Sequence, residues 1–209
     1  ADWLFASGIT AALGDKALTA LHEAMVAARS AGARIAFDTN FRPTLWQGRE
    51  AEAAAILRDL SCEADLLFAG RRAVAMMVGG SYASGDPAEG FSAAAEAMFA
   101  HSPRIKHMAA TRREVFSSDR QNITGLLADR EGLSVSPTYA LENIVDRVGT
   151  GDAFAAGIVH GLITGMGREE GIGFATACSL WAHSVPGDFL RAAPSDLAAM
   201  AAGGGDVRR

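Results

Sequence analysis

The residues best suited to chemistry lie in one stretch, Asp146-Arg147-Val148-Gly149-Thr150-Gly151-Asp152-Ala153-Phe154-Ala155-Ala156-Gly157, where two glycines flank Thr150 just as a long apolar segment begins. Glycine lets a backbone turn tightly and approach a ligand with no Cβ in the way. If a helix starts there, its first N–H groups point outward with the positive end of the helix dipole. Gly149, Thr150 and Gly151 then form an anion hole suited to a phosphoryl group in transit. Asp152 falls in the first turn, where its carboxylate could take a proton from an attacking hydroxyl. A plain turn followed by a capping acid fits the same residues.

A second cluster, Asp38-Thr39-Asn40-Phe41-Arg42-Pro43-Thr44-Leu45-Trp46, places an acid, an amide and a guanidinium at a strand end. Arg42 offers a planar fork matched to a carboxylate or a phosphate; a salt-bridged loop with Trp46 as a core plug is the competing reading. A third, His183-Ser184-Val185-Pro186-Gly187-Asp188-Phe189, follows the last long apolar segment. On its own Asp188 reads as a turn residue after Pro-Gly, and His183 as a structural helix C-cap. Thr111 and Arg112 close a strand candidate, and surface arginines are mostly just solvated. Cys62 and Cys178 make neither a disulfide framework nor a CxxC pair, and no metal-ligand set stands out.

The elements that must position these groups follow from spacing. Strands are expected at Trp3 to Ser7, running into a turn, then at Arg34 to Asp38 and Ala64 to Phe68. Further strands are expected at Ile105 to Thr111 and at Thr124 to Ala128, the latter paired with Leu133 to Ser136. Helices are expected over 15–31, where Leu18, Leu21, Met25 and Ala28 recur every three to four residues and Gly32 stops them, and over 50–60 and 71–78. After a loop at 80–90, an Ala-rich helix runs to about His101; others cover 151–166, 169–184 and about 195–202. Strand and helix alternating through the first half predict a parallel sheet covered on both faces, with ligands at the carboxyl ends of its strands. With no repeat or linker, one domain over 1–202 and a loose tail over 203–209 are expected.

Composition narrows the function classes. The 209 residues are 49% hydrophobic and 21% charged with a net charge of -5, ordinary for a globular chain and without the basic footprint of nucleic-acid binding. No apolar run nears the roughly 20 residues of a membrane span, and no secretory leader pattern opens the chain. The chain starts without Met, directly in an apparent strand. A cytoplasmic protein binding neither membrane nor nucleic acid is expected. A dinucleotide-binding domain is set aside because no GxGxxG follows the first strand.

Asp146 to Gly157 resembles the C-terminal signature of the ribokinase-like (PfkB) carbohydrate kinases, in the D-R-x-G-x-G-D-x-F-x-x-G form typical of 2-keto-3-deoxygluconate kinases. The D-x-N-x-R-x-x-L-W pattern at 38–46 is similar to the kinases of that acid sugar and of fructose. His183 to Phe189 is similar to the H-[ST]-[IV]-P-G-D-F ending of one branch of the former. The resemblance implies a three-layer α/β/α fold with a mostly parallel sheet, and transfer of the ATP γ-phosphoryl group to the primary hydroxyl of 2-keto-3-deoxygluconate, with ATP and Mg2+ as cofactors. It assigns the catalytic base to Asp152 and the γ-phosphate to the backbone of Gly149, Thr150 and Gly151. Asn40, Arg42 and Asp188 fall to the sugar, Thr111 and Arg112 to ATP. A fructokinase or other ketose kinase, and a non-catalytic nucleotide-binding remnant, remain as alternatives.

Two departures bear on activity. Gly70-Arg71-Arg72-Ala73 stands where the family carries N-x-x-E, residues that help hold Mg2+ and phosphate through water. Two arginines disfavour a cation there, which implies weaker Mg2+ use and a slower enzyme. Relatives also carry about a further half-length before Trp3, with the first strands, a Gly-Gly turn for the sugar and a β-sheet lid. By the resemblance this chain corresponds to about two-thirds of the fold, and a homodimer is expected only with the lid restored.

Overall fold

A computed structural model describes residues 1–203, so the expected tail lies, beyond Gly203, outside the described residues. The chain divides into two compact units, one of Ala1–Ala109 with Ala128–Gly132, the other of Ala110–Leu127 and the residues from Leu133 onward.

The first unit alternates as its spacing predicts. In order come β1 (Trp3–Ser7), α1 (Gly8–Ala12), α2 (Asp15–Ser30), β2 (Arg34–Asp38), a 3-10 turn (Pro43–Leu45), α3 (Glu50–Cys62), β3 (Leu66–Phe68), α4 (Arg71–Val78) and α5 (Pro87–His101), followed by the start of β4 (His107–Val115). The four strands lie side by side and parallel. Ile35, Ala36 and Phe37 of β2 are fully buried, as expected of a parallel strand covered on both faces. The registers place Ser7 beside Asp38, Asp38 beside Phe68 and Phe68 beside Ala109, so one row marks the carboxyl ends of β1, β2 and β3 and crosses β4 near its start.

Two expectations shift here. The turn after β1 is the start of α1, because the Ser7 hydroxyl accepts from the Ile9 N–H and caps a helix at once. Helix α5 begins inside the expected loop, since the Asp86 carboxylate accepts from the Ala88 N–H and Pro87 takes the first helical position.

In the second unit, the rest of β4 is followed by β5 (Gln121–Asp129), β6 (Gly132–Val135), β7 (Tyr139–Leu141), α6 (Thr150–Thr164), α7 (Arg168–His183) and α8 (Pro194–Ala201). Strand β5 lies between β4 and β6, and β7 pairs antiparallel with its first residues. Strand β7 is absent from the sequence reading; three residues behind Pro137 are too few to show an alternation. Strand β4 runs to Val115, which puts Thr111 and Arg112 inside the strand rather than at its end. No helix among the described residues is long and apolar enough to cross a membrane.

Helix α6 buries most of its length because α7 comes very close. A Cβ on Gly157 would sit 2.6 Å from the Ala175 Cα and 3.0 Å from the Cys178 sulfur. Leu197 of α8 closes the apolar cluster of Ala153, Phe174, Cys178 and Ala182. Burial pushes the Cys178 thiol up to about 12, so it behaves as a small apolar side chain.

These contacts set opposite signs for two glycine substitutions. Gly157→Ala gains about 1 kcal/mol of helix propensity but loses about 1–3 kcal/mol to overpacking against backbone that cannot rotate away. Its urea midpoint should fall. Gly173→Ala meets only the Ala201 Cβ at 3.8 Å, an ordinary contact, so its midpoint should rise by the equivalent of about 0.5–1 kcal/mol.

Candidate active site

In the first unit the row of strand ends holds its loops through backbone and short side chains. Thr39 donates both its N–H and its hydroxyl to the Phe68 carbonyl, at 3.0 and 3.1 Å. Gly8 permits this crossing, because a Cβ there would lie 2.2 Å from the Thr39 carbonyl oxygen. Asn40 has a left-handed backbone, φ 37°. Its N–H donates to the Asp38 carboxylate at 2.9 Å, and its side-chain amide donates to the Ser7 hydroxyl at 3.3 Å. Trp46 is 1% exposed and anchors the following turn, so the core-plug reading holds for this residue. Arg42 is exposed, and among the described residues its guanidinium has no hydrogen bond or ion pair.

In the second unit the Gly149-Thr150-Gly151-Asp152 segment does begin a helix. Gly149 is its N-cap in the left-handed region at φ 71°, with no side-chain cap. The first helical bond is Ala153 N–H to the Gly149 carbonyl at 2.8 Å; the N–H groups before it have no acceptor within the helix. A Cβ on Gly149 would meet the Asp188 carbonyl oxygen at 2.7 Å and its Cα at 2.9 Å, so the two motifs touch backbone to backbone. Thr150 is buried and donates its hydroxyl to the Arg147 carbonyl at 3.1 Å, leaving only its backbone for a ligand. Gly151 and Asp152 are exposed. The Asp152 carboxylate caps nothing, and neither it nor Asp188 has a partner among the described residues.

Asp146, to which no role was given, has the densest bonding here. One carboxylate oxygen accepts from the N–H groups of Arg147 and Val148, at 2.7 and 2.9 Å, and the other from Gly187 N–H at 2.9 Å. The N–H groups of Val148, Gly187 and Arg147 hold its carboxyl below the usual carboxylate range. An Asp opening a glycine turn signals the first pair of bonds, but nothing in the sequence points to Gly187.

His183 is structural, though not as a C-cap; that position belongs to Ser184. Its ring is buried, with Nδ1 2.7 Å from the Ser179 carbonyl and Nε2 2.8 Å from the Gln121 amide nitrogen. The carbonyl can only accept, so Nδ1 carries the proton and Nε2 accepts from Gln121. Its own carbonyl accepts from Val145 N–H at 2.9 Å. Arg112 is paired with Glu114, which also accepts from the Asn122 amide. Around these loops Val115, Phe116, Val145, Val148 and Phe189 all remain exposed.

The donor set does not fit a protein-held Mg2+. Among the described residues no three His, Cys, Asp or Glu side chains gather as a metal site. The first turn of α4 presents Arg71 and Arg72 between Gly70 and Ala73, and none of the four offers a side-chain oxygen to a cation. Arg71 donates to the Tyr82 carbonyl at 3.1 Å, while Arg72 is exposed.

With this geometry in place, comparison with known proteins identifies the class. The chain belongs to the pfkB family of carbohydrate kinases, whose profile matches residues 6–191. It is 26% identical to a 2-dehydro-3-deoxygalactonokinase of Haloferax volcanii over 96% of this chain and 57% of that protein. It is also 26% identical to a 2-dehydro-3-deoxygluconokinase of Bacillus subtilis over 90% of this chain and 52% of that protein. Among solved structures, a 2-dehydro-3-deoxygluconokinase from Thermotoga maritima superposes with a TM-score of 0.88 at 28% identity, covering 97% of this chain and 60% of that one. The fold is therefore the ribokinase-like α/β fold, and the chain spans between half and two-thirds of the length of these relatives.

Burial, above all, lowers the His183 pKa below its ordinary 6.5, with Arg113 and Arg147 adding to the effect. The unfolded chain therefore binds a proton here at a higher pH than the folded one. The stability contributed by neutral His183 is complete above about pH 6.5 and declines as pH falls below it. Urea unfolding at pH 7.5 and 5.5 should show this loss, reduced in His183→Asn; NMR at pH 7.5 should find the ring proton on Nδ1.

Proposed function

We propose that the protein containing this chain transfers the γ-phosphoryl group of ATP to the primary hydroxyl of 2-keto-3-deoxygluconate. The observation that carries the reading is the start of α6, with open N–H groups, left-handed Gly149 and the unpartnered carboxylate of Asp152 in its first turn. Asp152 takes the hydroxyl proton as the sugar oxygen bonds to the γ-phosphorus. The bond from that phosphorus to the β–γ bridging oxygen breaks, and ADP leaves. The backbone N–H groups of Gly149, Thr150 and Gly151 stabilise the charge on the transferring group.

Other roles follow from what each side chain leaves free. In the second unit Asp188 accepts from a sugar hydroxyl. In the first, Arg42 holds the sugar carboxylate through its fork, and Asn40, fixed by Asp38 and Ser7, keeps the remaining donor and acceptor for substrate. Thr111 and Arg112 serve the nucleotide, Arg112 exchanging Glu114 for phosphate. No part of the transfer is assigned to a protein-held ion.

The Haloferax volcanii relative carries 2-dehydro-3-deoxygalactonate in its name, which favours the galacto acid as a second substrate to test. Recognition by Arg42 needs only the carboxylate that both acids share.

ADP release with MgATP should be seen with 2-keto-3-deoxygluconate and exceed that with fructose. Asp152→Asn should lower kcat by roughly 10²–10⁴-fold and leave ADP affinity within about twofold. Arg42→Ala should raise KM for the acid sugar by about tenfold or more, the share of a charge-assisted bond, and spare KM for ATP. Nucleotide binding without turnover on any of the three sugars would sink the kinase reading and favour a binding remnant.

A further inference from the structure

We infer that Asp146 is a positioning residue that locks the 184–189 turn onto the start of α6, so that Asp188 is held in register with the Gly149–Asp152 segment. The inference rests on the kinase reading for its meaning, but its geometry stands alone. One carboxylate reaches two loops that are 41 residues apart in the chain, with Arg147 and Val148 on one oxygen and Gly187 on the other. The turn it captures is otherwise thinly held. Asp188 is without a side-chain partner among the described residues, and Phe189 is 77% exposed.

The turn presses its backbone on Gly149 with no room for a side chain between them. A contact at van der Waals limits sets how near the two loops can come, but it does not pull them together. The Asp146–Gly187 bond supplies the pull, and it carries a full negative charge on the acceptor. At the root of the same turn, the His183 carbonyl accepts from Val145 N–H, so the chain just before Asp146 is tied to the residue just before the turn. Residues 145 to 149 and 183 to 188 thus form a closed ring, with Asp146 its one charged tie.

Two variants separate the tie from the local turn. Asp146→Asn keeps volume and one acceptor oxygen but sets an amide donor against one of the N–H groups. Asp146→Ser keeps an acceptor for Val148 N–H but is too short to reach Gly187. Hydrogen exchange on the intact chain should show the Gly187 amide exchanging at least tenfold faster in both variants, with α6 and α7 unchanged. In Asp146→Ser, the Val148 amide should stay protected. Wild-type protection of the Gly187 amide in both variants would overturn the proposal, whatever the activity.

In the active protein, both variants should raise KM for the acid sugar about tenfold with KM for MgATP within twofold. General destabilisation would lower the active fraction and leave both KM values alone. Equal KM values in variants and wild type would also overturn the proposal. A wild-type chain that turns over no sugar defeats the kinase reading and still leaves the exchange result to decide this one.

Discussion

The approach of Gly149 to the backbone of Asp188 is the constraint on which the second unit depends. It demands a residue with φ near 71° and no Cβ, because the Asp188 carbonyl oxygen and Cα already fill that space. From this follow the start of α6, the outward aim of its first N–H groups and the place of Asp152 one residue inside them. The other end of the relation is fixed by Gly157, whose missing Cβ lets α6 settle on Ala175 and Cys178 of α7. Helix α7 then delivers His183, and with it the 184–189 turn, back to the loop that precedes α6. Two close approaches about two helical turns apart, both made by glycine, define the direction of one helix.

Charged groups sort into those the fold consumes and those it leaves open. Asp65 accepts from Ile35 N–H and pairs with Arg29, tying the start of β3 to β2 and α2. Arg130 donates to the carbonyls of Phe99, Ser102 and Ile105 and holds the end of α5. Asp146 and Arg71 are spent in similar ways. In the first unit Arg42, and in the second Asp152 and Asp188, face solvent without partners among the described residues. A surface ion pair is worth little to stability, so leaving these three unpaired costs the fold almost nothing and keeps them available to a ligand.

The elements legible in the sequence are those whose signal is local. The stripe of Leu18, Leu21, Met25 and Ala28 marks α2, and the apolar stretches after Thr150 and Arg168 mark α6 and α7. Helix α1 was lost because its cap, Ser7, is also the last residue of a strand. The types of the candidate site residues were legible for the same reason, being clustered in short motifs. What Asp146 and His183 do was not, since their partners lie far along the chain, Gly187 at a separation of 41 and Gln121 at 62. A histidine at a helix end looks like a cap until a strand brings an amide to its other nitrogen.

In the proposed kinase, arginines in the first turn of α4 are easier to tolerate than the resemblance to the family's N-x-x-E suggests. Arg71 is part of a packed corner, because a Cβ on Gly90 would meet the Tyr82 carbonyl at 2.3 Å and the Arg71 guanidinium at 2.6 Å. Its charge is thus committed to holding the segment before α5, and only Arg72 faces outward. An anion hole made of backbone N–H groups at a helix start carries no side chain that substitution can remove. On the kinase reading, phosphate recognition by the backbone of Gly149, Thr150 and Gly151 does not depend on which side chains stand at α4. On the proposed function, stabilisation of a transferring phosphoryl group falls to the backbone start of α6 rather than to the first turn of α4.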